Sequence, residues 1–274
     1  MLGRGDDHNI DERAGRRLSL SRCRDTILST HGAALKFNLE AYCGLSSDDR
    51  DLIRRAASRT VRELPARQDL IREGDKPRGV NLVLDGWACR YKQLPNGRRQ
   101  TVHFFIPGDL CDANVFILGE MDHSIASITP LRYAEIGPAD FEALMARSAA
   151  LTRALWLNEL VNAAVAREWV ANVGQRTAHE RLAHLFCEMF LRLESLGLSE
   201  GNSCEWPLTQ TDLADATGLT PVHVNRTLQD LRRRRLIETS ARKLVVPDLQ
   251  ALKRVAMFNS SYLHLQPEQV PASR

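Results

Sequence analysis

No apolar run in this sequence comes near the roughly 18 residues that a bilayer-crossing helix needs. The opening stretch, MLGRGDDHNIDERAGRRLSLSRC, has no apolar centre of the kind a secretory leader carries. A cytoplasmic protein without a membrane partner is therefore expected. Closely spaced cysteines are missing too. The six cysteines, Cys23, Cys43, Cys89, Cys111, Cys187 and Cys204, include no CxxC pair. In a reducing compartment they are expected as free thiols. Charge of one sign is not in large excess, since 37 Lys+Arg face 34 Asp+Glu for a net +3. Affinity for a polyanion must then come from local clustering. No His-x-His lies on any strand-like run, so His103, Glu120 and His123 do not make the metal site of a cupin-type enzyme. No catalytic residue, metal or cofactor is expected.

What is present suffices for one large or two medium cores: 274 residues, 43% of them hydrophobic. Residues 1–34 are charged and aperiodic and are expected as a disordered arm. Ser46 or Ser47 then caps a short helix whose first turn is acidic. From about 60 to 137, short alternating runs are separated by glycine turns. They are Asp69–Ile71, Val80–Leu84, Ala88–Tyr91, Thr101–Phe105, Ile125–Ile128 and Arg132–Ile136. Pro95-Asn96-Gly97 is a hairpin signal, because Asn and Gly tolerate the positive φ such turns need. The pattern implies an antiparallel roll or barrel, with 35–148 as one domain.

Pro138 opens helical sequence, and a long helix is expected over 149–175. Trp156, Leu160, Ala163, Arg167 and Val170 recur at 4-3-4-3 spacing, as do Leu157, Val161, Ala164, Glu168 and Ala171. Two adjacent stripes with many alanines suit close approach of a second helix. The expected dimer contacts are Trp156, Leu157, Leu160, Val161, Ala164 and Val170. Packing of the same stripe on the chain's own roll is the alternative. Gly174-Gln175-Arg176 is read as a break, and Thr177 with Glu180 as the capping box of the next helix.

Two further caps follow. Thr209 with Asp212 opens a short helix that ends near Gly218. Thr220 caps a second, with Pro221 at the first helical position, where its missing N–H costs nothing. This is helix-turn-helix spacing. Val224, Leu228 and Leu231 form the second helix's core face. Val222, Asn225, Arg226 and Gln229 form its outer face, which carries base-reading chemistry. Arginine bonds guanine bidentately, Asn or Gln bonds adenine, and valine touches a thymine methyl. Thr209, Thr211, Thr220, His223, Arg232 and Arg233 are the expected phosphate contacts. Residues 222–243 hold seven Lys/Arg against two acids, a local +5. A hairpin wing is expected from 236–238 and 243–246. A solvated surface helix would also show a polar face. The caps, the glycine turn and the clustered charge together favour DNA.

The order of elements resembles the Crp/Fnr superfamily of transcription regulators. RTAHERLAHLF (176–186), PLTQTDLADATGLTPVHVNRTL (207–228) and GDL (108–110) carry the resemblance. It implies an α+β fold: a cyclic-nucleotide-binding-like β-roll (jelly roll), a long dimerisation helix at 149–175, and a C-terminal winged helix-turn-helix at 176–256, followed by a flexible tail over 257–274. It implies a homodimer on palindromic promoter DNA, with RNA polymerase as a further partner. Fnr-type members read DNA with Glu-x-x-Ser-Arg, where this chain has Val222, Asn225 and Arg226. Cyclic-nucleotide binders carry Gly-Glu and Arg-Ser, where this chain has Asp112-Ala113 and His123-Ser124. Cyclic AMP is therefore not the expected effector, and a nucleotide-binding module without DNA activity is disfavoured by residues 207–246. Cys23 and Cys43 are too sparse for the oxygen-sensing branch's iron–sulfur cluster. Cys187 and Cys111 are the candidate redox thiols, and His103 is the one strand histidine open to an axial haem role.

Overall fold

The computed structural model describes residues 29–30, 33–34, 39, 45–113, 117–240 and 242–265. Most of the expected 1–34 arm, Cys23 and Cys43 lie outside them. Of the arm, a short antiparallel pair is described, β1 (Ser29–Thr30) with β2 (Ala33–Ala34).

Helix α1 (Ser47–Ala57) starts at Ser46, whose hydroxyl accepts from the Asp49 amide while Asp49 reaches back to the Ser46 amide. Two antiparallel four-stranded sheets follow. One has the order β3 (Val61–Leu64), β10 (Leu131–Ile136), β5 (Val80–Asp85), β8 (Leu110–Cys111). The other has the order β4 (Asp69–Ile71), β9 (Ser124–Ser127), β6 (Ala88–Gln93), β7 (Arg99–Phe105). Strands β3 and β8 went unread in the sequence. They are short, and their outer residues do not alternate cleanly. The chain passes between the sheets at Gly86 (φ 85°), where a Cβ would lie 2.2 Å from the Pro130 carbonyl oxygen. At the β6–β7 turn only Gly97 takes positive φ. Asn96 acts instead through its side chain, which accepts from the Arg98 amide.

Alternation along the strands places three cores. Val83, Ala88, Phe105, Ile125 and Leu131 meet inside the roll. Leu82, Leu84 and Ile136 face outward onto α1, α2 (Pro138–Arg147) and the start of α3 (Ala149–Gln175). Trp87, Cys89, Tyr91, Phe104 and Ile106 also face outward, and they share one continuous core with the C-terminal half of the chain. Alternating strands with both faces buried read from sequence as half-exposed strands, so this third core was not expected.

Helix α3 does not break at Gly174. It runs through Gln175, and the chain turns extended only at Arg176 and Thr177. One glycine in a helix costs only about 1 kcal/mol, whereas the Thr177–Glu180 capping box fixes the start of α4 (Ala178–Ser195). A third sheet, with order β11 (Ser199–Glu200), β12 (Ser203–Glu205), β14 (Lys243–Val245), β13 (Glu238–Ser240), frames α5 (Gln210–Thr217) and α6 (Pro221–Arg233). The wing is thus 238–245. Leu236 and Ile237, expected in it, are buried in the core instead.

Helix α7 (Leu249–Ala256) packs on α4. Part of the expected flexible tail is docked. Leu263 is buried within a 3-10 turn at Ser260–Leu263 that lies against α3, while residues 266–274 lie outside the described residues. No helix among the described residues is long and apolar enough to cross a membrane.

Candidate nucleic-acid interface

Both helices of the 209–233 segment begin as the sequence implies. The Thr209 hydroxyl accepts from the Asp212 amide, and the Thr220 hydroxyl accepts from the His223 amide. Between them Gly218 is left-handed (φ 67°) and closes α5 by donating to the Ala214 carbonyl. Left-handed backbone favours glycine because it lacks a Cβ. Val224, Leu228 and Leu231 are buried against α4 and α5. The opposite face of α6 is open: Val222 is 80% exposed, and Asn225, Arg226 and Gln229 are exposed beside it. Among the described residues Arg226 has neither an ion-pair nor a hydrogen-bond partner, so its fork of donors is free for an external acceptor.

The expected phosphate contacts divide. Thr211, Thr220 and His223 are exposed. The Thr209 hydroxyl also donates to the Asp212 carboxylate at 2.7 Å, which makes it a cap residue first. Arg232 is half-buried and donates through Nε to the Thr239 hydroxyl at 3.0 Å, tying α6 to the wing. Arg233 donates to Asp230 at 2.8 Å, and His179 at the start of α4 lies 2.9 Å from the same carboxylate. Arg232 is thus a wing-holding residue rather than a free phosphate contact. Nothing in the spacing of four arginines distinguishes the one that meets a threonine after the turn.

The α3 stripe also divides. Trp156 (66% exposed), Leu160 (63%) and Val170 (74%) stand in the open with Ala163 and Arg167. Val161 (2%) and Ala164 (8%) are buried in the chain's own core, with Leu157 packed partly against it. The first stripe is open throughout, while the second turns inward at Val161 and Ala164, is half-buried at Leu157 and Glu168, and is exposed at Ala171. A helix that must also cover the roll and α4 uses one stripe for that.

At the positions where the resemblance puts the ribose and phosphate contacts, the roll's own side chains pair with one another. Arg90 has the same strand parity as inward-facing Ala88. Its guanidinium pairs with Asp112 and lies 5.1 Å from the centre of the Phe105 ring. His123 Nε2 is 2.8 Å from the other Asp112 oxygen, and its Nδ1 is 2.5 Å from Asp122. Burial alone would raise the Asp112 carboxyl, but Arg90 and His123 hold it below the usual carboxylate value. Burial is the largest single influence on His123 and opposes its charge, but the hydrogen bond and charge of Asp112, with the Asp122 hydrogen bond, together outweigh it and raise that imidazole. Strand parity was the signal that could have found Arg90. An open pocket of ≈ 590 Å³ remains between this cluster and α3, lined by Asp112, His123, Met145, Leu155, Trp156 and Glu159 among others.

The candidate thiols are not poised for redox chemistry. Cys187 is fully buried in α4, where burial pushes its thiol up to about 12. Cys111 is buried in β8, and burial with the nearby Asp112 and Asp109 carboxylates raises it well above its ordinary value. A reactive cysteine needs an exposed, electropositive setting. His103 is buried too. It packs edge-on to Phe105 and lies 3.5 Å from an Arg192 nitrogen.

Comparison with known proteins places both halves. Residues 61–148 match the cyclic nucleotide-binding domain, and residues 180–255 match the Crp-like helix-turn-helix domain. The chain is 31% identical over 221 residues to the transcriptional activatory protein AadR of Rhodopseudomonas palustris, covering 76% of this chain and 83% of AadR. It is 28% identical over 202 residues to the transcriptional activator protein FnrL of Cereibacter sphaeroides, covering 73% and 81% of the two chains. Among solved structures, FixK2 from Bradyrhizobium japonicum is similar in fold. Its TM-score is 0.65 at 24% identity, over 72% of this chain and 96% of that one.

Proposed function

The chain belongs to the Crp/Fnr family of transcription regulators, and from that premise we propose that it binds palindromic promoter DNA as a homodimer. It is a DNA-binding regulator, not an enzyme. Helix α6 enters the major groove. Val222, Asn225, Arg226 and Gln229 meet base edges, and Thr211, Thr220 and His223 meet phosphate. The exposed α3 stripe of Trp156, Leu160 and Val170 joins two copies. The observation that carries the reading is the pairing of faces on α6. Its inner face is locked in a core, while its outer face presents an unengaged arginine between two amide side chains. The site of action is the cytoplasm, with RNA polymerase as the partner that reads out promoter binding.

Cyclic AMP is not the effector. Asp112 and His123 stand where a ribose acceptor and a phosphate cation are needed, and Arg90 is already neutralised by Asp112. Calorimetry with millimolar cyclic AMP is expected to show no binding heat, and micromolar binding overturns this part. Genome-wide mapping of bound sites tests the main reading. A two-fold symmetric motif upstream of genes is the expected result, and bound sites without symmetry would exclude the dimeric mode.

A further inference from the structure

We propose that the β-roll sets the half-site spacing this regulator accepts, by clamping α5 near both ends through Arg67 and Gln100. The inference rests on the dimeric reading above.

The covalent joint alone is weak. Between α3, which carries the dimer stripe, and α4, which opens the DNA-binding half, stand only Arg176 and Thr177 in extended backbone. Two extended residues leave soft dihedrals about which a domain swings. Helix α6 follows α5 rigidly, since Gly218 and Leu219 both donate to the Ala214 carbonyl and the inner face of α6 packs on α5. Whatever holds α5 therefore aims the reading helix.

Beyond the apolar core it shares with α5, the roll holds that helix by two polar contacts. Arg67 donates to both oxygens of Asp212, with Nη2 to Oδ2 at 2.8 Å. Asp212 is also the capping-box acid of α5, so one carboxylate starts the helix and docks it. Burial opposes its charge, yet Arg67 and the Thr209 donors hold it below the usual carboxylate value. Arg67 itself stands on a fixed arm. It is left-handed (φ 63°), its amide donates to the Ser127 carbonyl at 3.0 Å, and the Ser127 hydroxyl bridges Pro65 and Gln68. At the other end, Gln100 on β7 donates to the Ala216 carbonyl at 3.2 Å. That is one of the last-turn acceptors a helix cannot satisfy internally. Its neighbour Thr217 is met from α4 by Arg181 at 2.9 Å. Asp212 and Ala216 are four residues apart, on one face of the helix. Two contacts one turn apart on one face oppose rotation about the other, which a single contact permits.

A dimer reads two half-sites about 34 Å apart on one side of the duplex. Inserting base pairs between them moves the second half-site along and around the axis. A rigidly aimed pair of helices rejects that change, and a loosely aimed pair tolerates it.

The test uses the full chain on a palindrome with natural spacing and on spacers altered by one and two base pairs, beside a single half-site. Arg67→Ala, Gln100→Ala and the double variant are compared with wild type and with Arg67→Lys. Both side chains are partly exposed, and melting and sedimentation verify fold and dimer. Each alanine is expected to lower spacing discrimination by about two- to fivefold, the value of an exposed ion pair or hydrogen bond. Half-site affinity stays unchanged, and Arg67→Lys recovers part of the loss. Variants that keep the full wild-type discrimination overturn the inference alone, as do variants that lose half-site affinity by the same factor. A wild-type dimer indifferent to spacing also overturns it, and a wild-type chain that is monomeric on DNA overturns the dimeric reading with it.

Discussion

Arg90 and Arg226 both sit on amphipathic elements, and their neighbours give them opposite work. Arg90 is on an inward strand position and is neutralised by Asp112, while Arg226 is on an outward helix position and unengaged. Arg226→Ala should cost about 1–3 kcal/mol on the specific site and relax preference at one base pair. Competition gel shifts against random DNA decide the matter, since an equal loss on both would make Arg226 a backbone contact. The Asp112–His123 pair should leave a mark in the pH dependence of stability. His123 is raised above its ordinary 6.5, so the pair's contribution is complete below that pH and is lost as pH rises through the raised value. Urea midpoints from about pH 5.5 to 8.5 should decline accordingly, and His123→Gln should flatten the decline. The open face of α6 was legible because helical spacing alone sorts Val222, Asn225, Arg226 and Gln229 from Val224, Leu228 and Leu231. The partner of Arg232 was not, because Thr239 comes beside it only once the chain has turned into the wing.

At the scale of elements, α3 serves two surfaces at once. Its inner stripe joins the chain's core and its outer stripe is apolar yet open. Leu160→Glu should therefore yield a folded monomer by sedimentation, with little change in melting temperature and loss of palindrome binding. Val161→Ala should do the reverse, costing roughly 1–3 kcal/mol of stability by the loss of buried methyls while the dimer persists. A monomeric Val161→Ala, or a dimeric Leu160→Glu, would move the seam to another face. Periodicity predicted a wide apolar helix here and could not divide it, because a repeat near 3.5 residues is the same for a core stripe and an interface stripe.

Across the whole molecule, a buried polar network joins the roll, the long helix and the C-terminal turn. Arg192 on α4 donates to Asp109 at 2.9 Å and to the Phe104 carbonyl at 3.0 Å, both in the roll. One turn earlier, Glu188 is fully buried and accepts from Trp169 of α3 at 3.1 Å and from the Tyr262 hydroxyl at 2.7 Å. Burial raises the Glu188 carboxyl, which Arg192, Tyr262 and Trp169 partly counter. Tyr262→Phe leaves that buried acceptor one donor short and should cost about 1–3 kcal/mol in urea unfolding. A neutral result would mean that apolar packing of Leu263 in the core, with Phe258 packed beside it, holds the C-terminal turn without this hydrogen bond.

The sequence by itself determined most of the helices, the longer strands and their order, because caps, turns and periodicity are local. Thr177, Thr209 and Thr220 start their helices, and Gly218 ends α5, whatever surrounds them. It also determined which face of α6 is polar and what chemistry that face offers. Tertiary structure alone decided three things. It buried the outer face of one roll sheet under the DNA-binding half, so that Trp87 and Trp206, far apart in the chain, meet edge-on at 6.1 Å. It brought Arg67 to Asp212 and Arg192 to Asp109, which stand 145 and 83 residues apart in the chain. It folded part of an apparent tail back onto α3. Each of these joins residues dozens of positions apart, and no spacing rule reaches that far, because such contacts are set by the summed packing of whole elements rather than by the residues between them.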